Sequence, residues 1–191
     1  PSFSKAYRSL GKLYFVLGKN SEAVQFIKKA IQINPDSDES FYDLGVFYGL
    51  LGKNYDAIES YKKAISLNPN FLEAYYNLGI AYGVLGKHSQ AVQPYQQVIR
   101  LNPNYATAYF NLGMTYGFLG KEVEAIQALR KAVELDSKLL NLLHPDLKAK
   151  VLQGGSSSIQ IQDKACEQVA SSSLIRKAAI ILADAKANSP I

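Results

Sequence analysis

Apolar residues along this chain recur with a helical period, and that helical pattern itself recurs. Between Phe71 and Leu85, the residues Tyr75, Leu78, Tyr82 and Leu85 fall on one face of a helix. The triplet Leu85-Gly86-Lys87 closes it, because a glycine just past the last apolar position takes the left-handed conformation that ends helices. A second stripe, Ala91, Val92, Tyr95, Val98 and Ile99, predicts a helix from Ser89 to about Leu101. Asn102-Pro103 stops it, since proline lacks an amide proton and restricts the residue before it.

Shifting this helix pair by 34 residues reproduces it. Leu78, Gly79 and Tyr82 superpose on Leu10, Gly11 and Tyr14, on Leu44, Gly45 and Tyr48, and on Leu112, Gly113 and Tyr116. The same step connects Ala23, Ala57, Ala91 and Ala125, and then Pro35, Pro69 and Pro103. Each helix pair must bury its apolar face on a neighbouring pair, so the pattern predicts an all-α solenoid of antiparallel helix pairs with no strands. Small residues at the four alanine positions are expected to let the first (A) and second (B) helix of each pair approach closely. Pro94, inside a B helix, is expected to kink it mildly.

The pattern aromatic-x2-Leu-Gly-x2-Tyr, followed by Ala-x3-large, Ala and Pro, resembles the tetratricopeptide repeat. Four copies cover residues 4–37, 38–71, 72–105 and 106–139. The departures are local: Tyr7, Phe41, Tyr75 and Tyr109 stand where Trp is frequent, Val98 replaces an Ala, and Ser137 replaces the last Pro. The resemblance implies a right-handed superhelical solenoid whose A helices line a concave groove.

Past the fourth copy, Lys138 to Gln153 reads as a capping helix carrying Leu139, Leu140, Leu142, Leu143, Leu147 and Val151, with His144-Pro145 a point of division. The solenoid is thus expected over 1–152, with the cap at 138–152. Residues 153–158, with the run Gly-Gly-Ser-Ser-Ser, have the composition of a flexible linker. The last part, 159–191, predicts one long amphipathic helix over Ile159 to Ala187, striped by Cys166, Ala170, Leu174, Ala178, Ile181 and Ala185. This segment matches no tetratricopeptide unit. It reads as a ligand for the solenoid groove, from its own chain or a neighbour's, as a tail, or as a partner peptide fused to the solenoid.

Composition adds limits. Of 191 residues, 48% are hydrophobic and 19% charged, enough apolar material for an ordered core. The net charge of +5 is spread without a polybasic run, which argues against nucleic acid as partner. The single Cys166 excludes an internal disulfide framework and fits a reducing compartment, so a cytoplasmic location is expected. No apolar run is long enough to span a membrane. The chain begins at Pro1 without Met, which suggests that its native N-terminus lies further upstream.

No catalytic constellation, phosphate-binding loop or metal-ligand pairing emerges, and no cofactor is expected; His88, His144 and Cys166 read as surface or packing residues. Function is therefore sought on the surface. With the signature residues of each A helix assigned to packing, another face remains. It offers Tyr42, Val46 and Gly49, then Tyr76, Ile80 and Gly83, then Phe110, Met114 and Gly117, three aligned rungs at spacing 4 then 3. Aromatic walls and a glycine floor suit the apolar face of a partner helix, so a non-catalytic adaptor is expected; the competing assignment is further core packing. Repeat 1 has Lys5, Arg8 and Lys12 instead, predicting a basic groove end. A clamp for an acidic carboxylate tail, known in this family, would need polar donors where Tyr42, Val46, Tyr76 and Ile80 stand. Asn77 and Asn111 are candidates either for ligand backbone or for bridges between A helices. RNA reading would need polar side chains at Val46, Ile80 and Met114. The alternative function is the substrate-selecting repeat domain of a larger enzyme such as a glycosyltransferase.

Overall fold

The computed structural model describes residues 2–152; the 153–158 linker and the helix expected over Ile159–Ala187 lie outside the described residues. The chain divides into two compact units, Pro1–Leu85 and Gly86–Ile191. Among the described residues every regular element is helical.

In the first unit, α1 (Ser2–Val16) pairs with α2 (Asn20–Ile33), and α3 (Asp38–Leu50) pairs with α4 (Asn54–Leu67). Helix α2 also covers α3, and α4 covers α5 (Leu72–Val84). In the second unit, α6 (His88–Leu101) packs on α7 (Ala106–Phe118), which pairs with α8 (Glu122–Leu135). Helix α6 runs on through Pro94 to Leu101.

The turns within pairs end as the Leu-Gly-Lys triplets predict. After α3, the Gly52 amide donates to the Gly49 carbonyl (3.0 Å) and the Lys53 amide to that of Tyr48 (2.8 Å). Gly52 needs φ of +75° for this double closure, which a side chain would strain.

Paired helices approach closely at the signature glycine. A Cβ on Gly11 would sit 2.7 Å from Ile27 Cδ1, and one on Gly45 2.6 Å from Tyr61 Cε1. One on Gly113 would sit 2.7 Å from Leu129 Cγ and 3.0 Å from the Ala125 carbonyl oxygen. Ala23, Ala57 and Ala125 on the B helices are buried, as expected for their spacing. The glycine is nonetheless the point at which a large B-helix side chain lies on A-helix backbone.

The segment after α8 forms two pieces. A 3-10 turn at Ser137–Leu142 is followed by α9 (Pro145–Leu152), whose first residue is the proline. Leu139, Leu143 and Val151 close over Phe110, Leu129 and Ala132. The Arg130 guanidinium donates to the carbonyls of Val151 (2.9 Å) and Lys150 (3.0 Å), satisfying acceptors that the end of α9 leaves open.

These contacts set an expectation for stability. Gly113→Ala must move Leu129 and the Ala125 backbone, and should cost about 1–3 kcal/mol in urea unfolding. Gly83→Ala meets nothing within 4 Å, so helix propensity should leave it neutral or stabilising by up to about 1 kcal/mol. Equal midpoints for the two variants would contradict this packing.

Candidate protein-binding face

The A helices α3, α5 and α7 each carry one of the expected rungs. In the first unit, Tyr42, Val46 and Gly49 lie on α3, and Tyr76, Ile80 and Gly83 on α5. In the second unit, Phe110, Met114 and Gly117 lie on α7. Their burial is graded along the rung. Tyr76 and Phe110 are buried, whereas Tyr42, Val46, Ile80, Met114 and the three glycines keep part of their surface.

The aromatic members are packed inside their own units. The Tyr42 ring lies 4.9 Å from that of Phe71 and 6.0 Å from that of Tyr61. Burial pushes the Tyr61 phenol well above its ordinary pKa, with Tyr42 and Asp43 adding to the effect, so this ring stays neutral. Phe110 belongs to the core closed by Leu139, Leu143 and Val151, and Met114 packs against that core. Val46 flanks the Ala23, Ile27, Leu44 and Phe47 cluster.

The glycines behave differently. Around Gly49 a Cβ would find Tyr61 Oη at 3.7 Å and the Ala57 Cβ at 4.0 Å, ordinary contacts. Around Gly83 it would find nothing within 4 Å. Packing of the described residues therefore gives no reason for glycine at position 83, where alanine would favour the helix.

The basic end is organised by carboxylates. Arg8 donates through Nε to Asp43 and through Nη1 to Glu39, and Lys12 Nζ lies 3.2 Å from Asp43. Lys5, Arg8, Ser9, Lys12 and Glu39 line a shallow depression. Two of the three cations are thus engaged within the unit, while Lys5 is exposed. The arrangement has a counterpart one repeat on, where Asn77 Nδ2 donates to Tyr42 Oη at 3.1 Å. Arg8 and Tyr42 share one repeat position, as do Asp43 and Asn77. Asn77 thus bridges neighbouring A helices. Asp43 escaped the sequence reading, although its register with Asn77 was the signal that would have found it.

In the second unit, the His88 ring stacks on Phe118 at 4.2 Å, and burial lowers its pKa. No group of His, Cys, Asp and Glu among the described residues could hold a metal ion, and none of their helices is long and apolar enough to cross a membrane.

Two outcomes follow. Arg8→Met leaves the buried Asp43 carboxylate with Lys12 alone and should cost about 2 kcal/mol or more, most of it recovered in Arg8→Met/Asp43→Met. His88 takes a proton less readily folded than unfolded. Acidification through its ordinary pKa of 6.5 should therefore lower the melting midpoint more in the parent than in His88→Phe.

Comparison with known proteins places these features. Tetratricopeptide repeat models match residues 4–37 and 72–105, and a second such model matches 26–59 and 95–127. A TPR repeat model matches 48–86. No curated protein matches the sequence. A crystal structure of MamA is similar at 30% identity and a TM-score of 0.67, over 72% of this chain and 81% of that one. MamA from Desulfovibrio magneticus RS-1 shares the fold over 99% of both chains, with 22% identity and a TM-score of 0.72. YrrB, described as a TPR protein with an unusual peptide-binding site, is 26% identical over 76% of this chain and 72% of its own, with a TM-score of 0.64. With the 34-residue pattern repeated four times in the sequence and these matches together, the chain belongs to the tetratricopeptide repeat family.

Proposed function

We propose that this chain is a non-catalytic protein-interaction scaffold whose A-helix rungs bind an amphipathic helix of a partner protein. The carrying observation is Gly83, a helical glycine with nothing around it that a Cβ would meet. Clearance for an approaching ligand explains a residue that internal packing does not. In the first unit, Val46 and Ile80 offer the half-exposed apolar contacts, with Tyr42, Tyr76 and Gly49 shaping the surface. In the second, Met114 and Gly117 stand beside the buried Phe110. Lys5, Arg8 and Lys12, with two carboxylates among them, make a mildly cationic flank that suits a ligand helix with acidic ends. YrrB, one of the similar structures, is described by a peptide-binding site, which supports the same class of ligand here. Self-association through the C-terminal segment is a second interaction of the same kind.

Selection of amphipathic helical peptides from a displayed library against the full chain tests the reading. Selected peptides should lose roughly 30-fold or more in affinity on Gly83→Leu or Ile80→Asp, a cost of about 2 kcal/mol. Circular dichroism should show both variants folded. Peptides that bind both folded variants at parental strength would exclude these rungs as the site.

A further inference from the structure

The residue that fills the space over the signature glycine is aliphatic in α2 and α8, where Ile27 lies on Gly11 and Leu129 on Gly113. In α4 the same repeat position holds Tyr61, whose ring lies on Gly45. Ile27 and Leu129 show that an apolar side chain suffices for this contact, so packing asks for no hydroxyl. Tyr61 brings one in. A Cβ on Gly45 would meet Cε1 at 2.6 Å and Cζ at 3.1 Å, whereas a Cβ on Gly49 would meet Oη at 3.7 Å. The ring therefore runs along α3 from Gly45 toward Gly49, and its hydroxyl end sits at the second glycine, one helical turn on.

Tyr61 is 4% exposed, and its hydroxyl has no hydrogen-bond partner among the described residues. A buried tyrosine hydroxyl ordinarily finds a partner, and leaving it without one costs free energy. The nearby Tyr42 ring, 6.0 Å away, receives the Asn77 amide on its own oxygen instead. Gly49 is half-buried and belongs to the rung of α3, beside the half-buried Val46. Without a Cβ at position 49, the hydroxyl is approached over bare backbone from the rung face.

The surroundings select the kind of group that fits. Burial holds the phenol protonated, with Tyr42 and Asp43 adding to the effect, so it offers a proton and calls for an acceptor. An anionic acceptor would lose water beside the Asp43 carboxylate, whose cations Arg8 and Lys12 are already engaged. A neutral side-chain carbonyl carries no such cost.

We propose that Tyr61 sets specificity on the first unit's rungs, its hydroxyl donating across Gly49 to the side-chain carbonyl of an Asn or Gln on the partner helix. The inference rests on the helix-binding reading above and adds a polar requirement to a ligand face that is otherwise apolar. Gly49 then serves as the passage to the hydroxyl. A helix with only aliphatic residues there would leave the phenol unpaired in the complex, which is how such a site discriminates.

The test compares helical peptides selected from the displayed library by the full chain and by its Tyr61→Phe variant. The parent should select Asn or Gln at one fixed position of the apolar face, and Tyr61→Phe an aliphatic residue. A parental peptide should bind Tyr61→Phe about tenfold more weakly, while its leucine-substituted version should bind that variant at least as well as the parent. Gly49→Ala places a methyl group 3.7 Å from the hydroxyl without overlap, so it should fold and weaken the amide peptide. In the free chain, Tyr61→Phe should melt no lower than the parent, because no partner is lost. The inference is overturned by a midpoint several degrees lower in Tyr61→Phe, by unchanged affinity of the amide peptide, or by selection of an acidic residue at that position. Peptides that show no amide preference yet weaken on Gly83→Leu would overturn it and leave the rungs as the site. Peptides indifferent to Gly83→Leu and Ile80→Asp would overturn both readings.

Discussion

The structure depends on large B-helix side chains, Ile27 and Leu129, that each pack on their own A helix and on the element that follows. Ile27 fills the space over Gly11 in its own pair, and it also lies in a cluster with Leu44 and Phe47 of the next A helix. Leu129 fills the space over Gly113 and then meets Leu139, Leu143 and Val151, which stand in for a following repeat. Glycine on one side and a large residue on the other bring the paired backbones close enough for this double contact. A methyl group at the glycine would move the large residue, and with it the seat of the next A helix. Cooperation between neighbouring pairs is therefore built into a single contact, the nearest-neighbour coupling on which repeat proteins rest.

That contact also decides what is left for binding. Because B helices cover the signature faces of α3, α5 and α7, the rung face of those helices remains, and part of it serves packing as well. Tyr42 is held by Phe71, Tyr61 and the Asn77 amide, and Arg8 by Asp43 and Glu39 at the equivalent place. These bridges fix the spacing of neighbouring A helices within the first unit. What stays adaptable is the middle and far end of the rung, where Val46, Ile80, Met114 and the glycines retain exposure. A ligand helix would thus meet aliphatic side chains on a rigid support, a surface that costs little ordering on binding.

Much of the fold was legible because its signals are local and repeat in register. The Leu-Gly-Lys closures and the 34-residue comb appear four times, so any single ambiguity is resolved by its copies. The role of Gly45 against Tyr61 was less legible, since Leu-Gly-x2-Tyr marks a family position without saying which side chain lies upon it. Arg8 read as part of a free basic end because its partner Asp43 is 35 residues away and belongs to another helix pair. Phe110 read as a wall of the groove, whereas the capping residues Leu139, Leu143 and Val151 draw it into the core. Periodicity assigns a face to each residue, and only the neighbouring helix determines whether that face stays open.

The second unit carries its own cover, whereas α1 in the first keeps apolar residues at its surface. At α8, Leu139, Leu143 and Val151 cover the last B helix, and Arg130 ties the cover down through the carbonyls of Lys150 and Val151. At α1, Ala6, Leu10 and Leu13 remain at the surface. A terminal helix that ends a stack in water carries polar residues on its outer face. Helix α1 instead carries a leucine where α3, α5 and α7 each bury one, so its residues are those of an interior helix. An apolar strip of this kind favours contact with another surface over contact with water, by roughly 25 cal/mol for each Å² covered.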